Sequence, residues 1–396
     1  MNAHAKLHRN RIAPYRNFHR LAWLAAIMTA STILFGAFVR LSDAGLSCPD
    51  WPTCYGRATW PQAAHEILDH AATQIRPLET HKAWREQVHR ILAGLLGFEV
   101  LGLALLAARN RKRGIAQIIG ASVLVALAIP LYMRGAHVAA SLLAVAGEAI
   151  LLAAAWRWTS TQSNRDLSRV AALALATIVF QALLGMWTVT WLLKPVVVMG
   201  HLLGGLTLFA LLLWMAWRAT DLPIHLADAG KLRRWVLVGL LLLIAQIALG
   251  GWVSANYAAL ACGGGSLSAD NFPKCVAQWW PPHDFNEGFT LWRGIGVDYE
   301  GGVLDGASRI AIQMAHRIGA VIVSLYLIAL AVRLLKTPGL RGWAAFLLFA
   351  LALQITLGVL NVKLALPLTV AVLHNGGAVL LLFVLVTLLA RVEKPE

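Results

Sequence analysis

The stretch that decides the fold is residues 195–217, PVVVMGHLLGGLTLFALLLWMAW, which contains no Asp, Glu, Lys or Arg. A helix of about 20 apolar residues is long enough to cross the ~30 Å hydrocarbon core of a bilayer. The stretch is therefore predicted to be a membrane-spanning helix. A membrane β-barrel would instead have segments of ~10 residues with alternating polar and apolar side chains.

The 396-residue chain contains ten such apolar stretches. The predicted spans are 20–41, 87–108, 115–133, 137–156, 168–192, 195–217, 233–254, 307–332, 342–362 and 367–390. Hydrophobic residues make up 59% of the chain and charged residues only 13%, whereas about a quarter of a soluble chain is charged. The composition excludes a set of soluble domains and indicates an all-α polytopic membrane protein.

The distribution of basic residues predicts that both termini lie inside. The three short outer turns hold one basic residue each, namely Arg134, Lys194 and Lys363. The inner segments hold most of the others, including Lys6, Arg9, Arg11, Arg16, Arg20, the cluster 109–113, Arg157, Arg165, Arg169, Arg218, Lys231, Arg233, Arg234, Arg333, Lys336, Arg341, Arg391 and Lys394. Cytoplasmic loops of membrane proteins carry this excess. Topology thus accounts for the net charge of +15, and no nucleic-acid partner is expected.

The chain also contains an internal repeat. Four pairs of segments match, namely Gly36–Val39 with Gly250–Val253, His89-Arg90 with His316-Arg317, Gln181–Gly185 with Gln354–Gly358, and Pro195–His201 with Pro367–His374. The two histidines are 112 residues apart in the first half and 58 in the second. Residues 110–165, which hold two spans, account for the greater separation of the histidines in the first half. Because an even number of inserted spans preserves orientation, both halves are expected to be parallel repeats.

The predicted organisation is two tandem four-helix bundles with a transmembrane hairpin inserted in the first. Its parts are a basic cytoplasmic tail (1–19), a first repeat (20–217) with the inserted hairpin (110–165), a cytoplasmic linker (218–232), a second repeat (233–391) and a tail (392–396).

Four histidines occupy matching positions in the two repeats. They are His89 and His201 in the first half and His316 and His374 in the second. Ionisable residues inside a membrane span usually have a function. Each pair can place two imidazoles at one level of a four-helix bundle, where such proteins hold cofactors, and two facing imidazoles suit the axial positions of a haem iron. The alternative is a histidine hydrogen-bonded between helices.

Residues beside the histidines have both functional and structural interpretations. Arg90 and Arg317 are candidates for pairing with haem propionates, since a guanidinium matches carboxylate geometry. Alternatively, their guanidinium groups extend to the membrane–water interface. Six flanking glycines would admit a flat macrocycle or simply allow close helix packing; they are Gly94, Gly97, Gly204, Gly205, Gly376 and Gly377.

All four cysteines lie in the two long outer segments, 42–86 and 255–306. Because each segment holds one pair on the oxidising side, disulfides Cys48–Cys54 and Cys262–Cys275 are expected. A metal site and a redox-active first pair are the alternatives.

One carboxylate distinguishes the halves. Glu86 stands three residues before His89, whereas Gln313 stands three before His316. Residues three apart share a helix face, so Glu86 is the candidate catalytic acid–base residue. The alternative is an acid stabilised by the dipole of the helix N-terminus.

The segment from Gly36 to Cys54, the sequence Glu86-x-x-His89-Arg90, and the segment from Gln181 to Thr190 leading to His201 resemble the bacterial haem A synthase family. The resemblance covers nearly the whole chain except the hairpin, and the family's usual eight spans are two fewer than the ten predicted here. It implies an oxidoreductase that converts the C8 methyl group of haem O to a formyl group through a hydroxylated intermediate. It also implies haem O in the first half and haem b in the second.

The expected setting is the bacterial inner membrane, with the haem sites near the periplasmic side. Expected partners are haem O, membrane lipid, haem O synthase and a redox partner or quinone. The alternative function is a di-haem b-type membrane cytochrome that carries electrons from quinol. A transporter built from parallel repeats is the third and least favoured function, because the polar residues of such a transporter would lie near the membrane midplane.

Overall fold

The computed structural model describes residues 17–158, 166–263 and 272–395. Within these residues ten helices are long and apolar enough to span a membrane, as predicted. They are α1 Phe18–Leu41, α2 Thr80–Ala108, α3 Gly114–Met133, α4 His137–Arg157, α5 Ser168–Thr190, α6 Pro195–Thr220, α7 Ala229–Ala255, α8 Gly306–Leu335, α9 Arg341–Lys363 and α10 Leu368–Arg391. Of the predicted basic tail, Lys6, Arg9, Arg11 and Arg16 lie outside the described residues, as does Arg165.

The spanning helices pack as two bundles of four with the same order of contacts. In the first bundle α1 contacts α2, α2 contacts α5, α5 contacts α6, and α6 returns to α1. In the second, α7, α8, α9 and α10 close a ring in the same way. The bundles meet where α6 packs against α7 and α10 and where α1 packs against α10. Each bundle therefore has its own interior.

Helix α2 begins earlier than predicted, at Thr80 rather than residue 87. Its first turns are polar, because residues 80–86 read THKAWRE, so an apolar-span criterion omits them. Glu86 and His89 therefore lie in the second and third turns, not at the start of the helix. Helix α8, with His316 in its third turn, begins at Gly306 as predicted to within one residue.

The end of the molecule opposite the cysteines has shorter connections than predicted. Helix α6 continues to Thr220 and α7 begins at Ala229, so the linker is shorter than 218–232. Strand β1, Ile224–His225, pairs in parallel with strand β2, Val392–Glu393. The predicted C-terminal tail is thus paired with the linker between the bundles.

The inserted hairpin, α3 and α4, packs on the outside of the first bundle. Helix α3 contacts α2 and α4 contacts α5. The side chains of Ile118 and Leu151 are buried in the same apolar cluster as Leu96 and Leu175. At its cysteine end, the ring of Tyr132 makes an edge-to-face contact with Trp51. The hairpin is therefore attached both to the bundle and to the first long loop.

Deleting the hairpin by joining Asn110 to Asn164 should leave both histidine pairs in place, since it contributes none of them. Asn164 lies outside the described residues. The melting temperature should fall by several degrees, because Leu96 and Leu175 lose their buried neighbours. Thermal melting and the optical spectrum of bound haem test this. A variant that binds both haems yet makes no product would instead show a direct catalytic role for the hairpin, with Glu148 as the first candidate.

Candidate functional site

The four histidines lie on four helices that all start at the cysteine end of the molecule. His89 is on α2, His201 on α6, His316 on α8 and His374 on α10. Within the first bundle, the ring centres of His89 and His201 are 6.5 Å apart and the rings are perpendicular. In the second bundle, the ring of His316 faces Gly250 on α7 and the ring of His374 faces Gly358 on α9. The structure therefore brings together the first predicted pair and places the second pair within one bundle.

The spacing of the first pair fits a metal ion held between two imidazoles. A metal–imidazole bond is ~2 Å long, so a shared ion would leave the ring centres about 6 Å apart. The Nδ1 atoms of His89, His201 and His374 are buried without a hydrogen-bond partner among the described residues. Buried polar groups normally have partners, so these rings have unused bonding capacity. The residues present fit a bis-histidine haem in each bundle.

A glycine on the preceding spanning helix of the bundle faces each histidine ring. A methyl group built on Gly36 would lie 2.7 Å from Cε1 of His89. The corresponding distances are 3.3 Å for Gly185 and His201, 3.1 Å for Gly250 and His316, and 3.0 Å for Gly358 and His374. A Cβ at Gly36 would force the His89 ring to move, and a Cβ at any of the other three would press tightly on its ring. The lack of a Cβ at these positions thus gives the imidazoles room in each bundle.

The six glycines predicted to flank a macrocycle have different surroundings. Gly94 and Gly97 have no atom within 4 Å of a built Cβ. Gly204 and Gly377 lie under the side chains of Gln181 and Gln354. Gly205 and Gly376 face Ile33 and Leu34. A Cβ would therefore overlap a glutamine side chain at Gly204 and Gly377, make ordinary contact at Gly205 and Gly376, and meet open space at Gly94 and Gly97.

Glutamines contact both histidine rings of the second bundle, and a third glutamine, Gln181, has the matching sequence position in the first bundle. Gln181, Gln246 and Gln354 each stand one turn before the glycine that faces a histidine. The side-chain nitrogen of Gln246 lies 3.0 Å from Nδ1 of His316, and that of Gln354 lies 3.3 Å from Nε2 of His374. The sequence repeat included Gln181 and Gln354 but missed Gln246. The recurring spacing Gln-x-x-x-Gly could have found it.

Glu86 is buried and makes three hydrogen bonds or ion pairs. One carboxylate oxygen accepts from the backbone N–H of Cys48 at 2.8 Å and from the hydroxyl of Ser47 at 3.1 Å. The other accepts from Arg90 at 2.5 Å. The carboxylate therefore joins helix α2 to the first long loop, residues 42–79, one turn from His89.

Gln313 occupies the matching position in the second bundle and makes the opposite kind of contact. It is buried, and its amide donates to the carbonyl of Ala259 at 3.2 Å. The second long loop, residues 256–305, thus offers an acceptor where the first loop offers donors. The acid in the first bundle therefore faces a loop that offers hydrogen-bond donors, and the amide in the second faces a loop that offers an acceptor.

Arg90 and Arg317 contact loop carbonyls in the structure. Arg90 donates to the carbonyl oxygens of Cys48, Asp50 and Thr53 at 2.6–2.7 Å. Arg317 donates to the carbonyl of Pro273 at 3.2 Å. These bonds hold the two loops against α2 and α8. Pairing of either guanidinium with a haem propionate stays a prediction.

Both expected disulfides are present. Cys48–Cys54 and Cys262–Cys275 have S–S distances of 2.01 and 2.00 Å, and the described residues contain no free cysteine. The N–H of the second cysteine in each loop donates to a carbonyl three residues later, that of Arg57 or Gln278. The loops therefore share a turn as well as a disulfide. Gly264 and Gly265, which follow Cys262, lie outside the described residues.

The first loop has a buried interior of its own beside this disulfide. Tyr55 is fully buried and its hydroxyl donates to the carbonyl of Pro77 at 3.1 Å. Burial, with a smaller contribution from the Asp50 carboxylate, raises the pKa of Tyr55 to about 12. The loop that holds Glu86 is thus a folded cap over the first bundle.

The two loops also contact each other. Arg76 of the first loop pairs with Asp298 and Glu300 of the second. Arg40, at the end of α1, donates to the hydroxyl of Tyr257 at 3.0 Å. These contacts join the caps of the two bundles into one layer at the cysteine end, which the sequence alone did not predict.

Lys194, predicted only as an outer-turn residue, is fully buried between α5 and α6. Within the part of the chain that the structure describes, its ammonium group has no hydrogen-bond partner, and it lies 3.2 Å from the centre of the Trp292 ring. Burial lowers the pKa of Lys194. The alignment of Pro195 with Pro367 places Leu366 at the matching position, so a buried cation distinguishes the first bundle from the second.

Comparison with known proteins gives a consistent result. The family model for COX15-CtaA, described as cytochrome oxidase assembly protein, matches residues 19–386. A haem A synthase from Shewanella oneidensis is 38% identical over 376 residues, which cover 93% of this chain and 96% of that protein. A haem A synthase from Caulobacter vibrioides is 30% identical over 225 residues, which cover 54% of this chain and 60% of that protein.

Proposed function

This chain belongs to the COX15-CtaA family of cytochrome oxidase assembly proteins, and from that premise we propose that it is a haem A synthase. The reaction converts the C8 methyl group of haem O to a formyl group through a hydroxylated intermediate. It requires removal of electrons and protons and addition of an oxygen atom. The protein must therefore bind a porphyrin substrate, move protons and pass electrons onward.

The first bundle is the proposed substrate half. His89 and His201 would hold the iron of haem O, and their 6.5 Å ring separation supports this assignment. The difference between Glu86 and Gln313 carries the proposal, since it is a chemical asymmetry between two otherwise matching sites. A carboxylate beside one haem and an amide beside the other fit one reactive half and one carrier half.

The second bundle is the proposed cofactor half. His316 and His374 would hold a b-type haem, which supplies one-electron redox chemistry when bound. Gln246 and Gln354 would orient these two rings, because their amides already contact them. Neutral amides are suited to that role because they fix ring orientation without supplying a proton-accepting charge.

Glu86 is the proposed acid–base residue. A carboxylate near the porphyrin edge can accept a proton or position a water molecule. In the structure its oxygens accept from Cys48, Ser47 and Arg90. These three donors leave one of the roughly four lone-pair sites of the carboxylate free for a proton or a water molecule. The first loop would therefore position Glu86 for this role.

The proposed location is the bacterial inner membrane, with the histidine pairs near the periplasmic side. The excess of basic residues in the predicted inner segments supports this orientation. Haem O would arrive from haem O synthase within the lipid phase. The electrons would leave through a redox partner or a quinone.

Extraction of haem from the purified protein separates this function from a di-haem b-type cytochrome. We expect haem b together with haem O, a hydroxylated haem or haem A, because the substrate half holds substrate or product. Expression beside a haem O synthase should also raise haem A in the membranes. A protein that yields haem b alone, with no haem A made from supplied haem O, would instead be a carrier of electrons.

A further inference from the structure

The first bundle has two cations near the cysteine end that pair with no acid among the described residues. Arg85 lies on α2, one turn before His89, and Lys194 directly precedes α6, two turns before His201. Residues four or seven apart share a helix face, so each cation stands on the same side of its helix as a histidine of the proposed substrate site. At ~1.5 Å per residue, the two cations lie roughly 6 and 10 Å nearer the cysteine end than these histidines.

Arg85 is partly buried and has only aromatic neighbours for its charge. Its guanidinium carbon lies 5.2 Å from the centre of the Phe38 ring and 5.8 Å from that of Trp84. Its Nε is buried, and the side chain forms no hydrogen bond or ion pair with any described residue. A guanidinium has five N–H donors in a planar fork. The donors of Arg85 are therefore available for a carboxylate.

Lys194 is fully buried, and its ammonium group also has only aromatic neighbours in the described part of the chain. The nitrogen lies 5.4 Å from the centre of the Trp191 ring and 3.2 Å from that of Trp292. Aromatic faces attract a cation, but a buried charge is normally paired with an opposite charge. Trp292, which belongs to the second loop, shields the ammonium group from the solution. An anion would therefore reach Lys194 from the bundle interior, the side on which His201 lies.

Two other cations on the first half of α2 already have partners. The two terminal nitrogens of Arg90 donate to Glu86 and to three carbonyls of the first loop. The ammonium nitrogen of Lys82 lies 2.9 Å from a carboxylate oxygen of Glu79. Either residue would have to break these contacts to bind another anion, whereas the two unpaired cations would not.

The second bundle has no cation at the two matching positions. Ile312 is the counterpart of Arg85, since both stand four residues before a histidine, and Leu366 is the counterpart of Lys194, since both precede a proline. The side chain of Ile312 is fully buried in an apolar cluster. The two unpaired cations are therefore a feature of the proposed substrate half alone.

We propose that Arg85 and Lys194 bind the two propionate carboxylates of haem O in the first bundle. This inference rests on the proposed function. The two residues supply two positive charges for two carboxylates, from the same helices that carry the proposed iron ligands, and such charge-assisted hydrogen bonds are among the strong ones. The C8 methyl group and one propionate are substituents of the same pyrrole ring. Binding that propionate would therefore also fix the position of the methyl group relative to Glu86.

The test compares haem O with its dimethyl ester, in which both propionates are neutral, in the full-length protein that retains its haem b. Binding to the first bundle is followed by optical titration, and the wild type should prefer haem O. Arg85→Ile and Lys194→Leu install the residues of the second bundle. Each should weaken haem O binding by roughly 10–100-fold, the range for one hydrogen bond to a charged group, and leave binding of the ester unchanged. Arg85→Lys and Lys194→Arg keep the charge and should retain most of the preference.

Lys82→Met is the matched control, because Lys82 also lies in the first turns of α2 but is paired with Glu79. It should leave the preference for haem O over the ester unchanged, and the haem b spectrum shows that each variant is folded. If Arg85→Ile and Lys194→Leu keep the wild-type preference, or weaken haem O and the ester equally, the proposal is wrong. Lys194→Gln, which is neutral but polar, decides in the same way if Lys194→Leu does not accumulate.

The titrations measure binding, so they do not need turnover. A protein that makes no haem A from supplied haem O would refute the proposed function. Haem b and its dimethyl ester, which have and lack the same two carboxylates, would then test Arg85 and Lys194 in the first bundle. Conversely, an active enzyme that binds haem O and its ester equally well would refute only the propionate site.

Discussion

Replacing His316 or His374 with alanine should remove the resident b-type haem and abolish haem A formation. In the proposed site each ring would supply one of the two protein ligands of the haem iron, so one loss would leave the iron with a single protein ligand. His89→Ala and His201→Ala should spare haem b and abolish turnover, because they alter only the substrate half. The optical spectrum of the purified variants and the haem content of the membranes measure both effects.

A glycine variant provides a second test of the same site without removing a ligand. Gly250→Val should displace His316, whose Cε1 would lie 3.1 Å from the added Cβ. Gly97→Ala is the matched control, since no atom lies within 4 Å of its built Cβ. A full low-spin b-haem spectrum in His316→Ala would mean that the two halves are assigned the wrong way round.

Replacing Glu86 with glutamine should lower turnover by about 10²–10⁴-fold while both haems still bind, which is the usual range for a lost acid–base group. The change removes the charge and makes the first bundle resemble the second at this position. Glu86→Asp should retain more activity than Glu86→Gln, because it keeps a carboxylate. The ratio of haem A and its hydroxylated intermediate to haem O in cells measures the effect.

Two control variants distinguish an acid–base role of Glu86 from a role in holding the first loop. Ser47→Ala removes one donor to Glu86 and keeps the carboxylate, so it should cost much less activity than Glu86→Gln. Gln313→Glu places an acid beside the cofactor half and should not increase haem A formation. If Glu86→Gln makes haem A at the wild-type rate, Glu86 only attaches helix α2 to the loop, and its difference from Gln313 reflects loop polarity alone.

Sequence features that repeat along the chain were predictable. The apolar stretches fixed ten spans, because a span needs only length and hydrophobicity to be recognised. Helix α2 was the exception, since its polar first turns, including Glu86, extend beyond the apolar stretch. The disulfides were predictable because each loop holds one local cysteine pair.

Roles that depend on a neighbour in space were not predictable. Arg90 holds three carbonyls of the first loop, a contact that the sequence did not predict, because the folded loop turns those carbonyls toward α2. Lys194 was counted only as the basic residue of a short outer turn, and its burial under Trp292 of the second loop was not predicted. No local spacing encodes contacts between segments so far apart in the chain.

By itself, the sequence determined the class of protein, its spans, its duplication and the four histidines, since hydropathy, charge and spacing are properties of the chain. Only the tertiary structure decided which groups surround each histidine. Packing α1 against α2 placed Gly36, and not a polar partner, at the His89 ring, whereas packing α7 against α8 brought Gln246 to His316. The environment of a buried ring depends on which helix faces it and at what height, and this is set when the bundle closes.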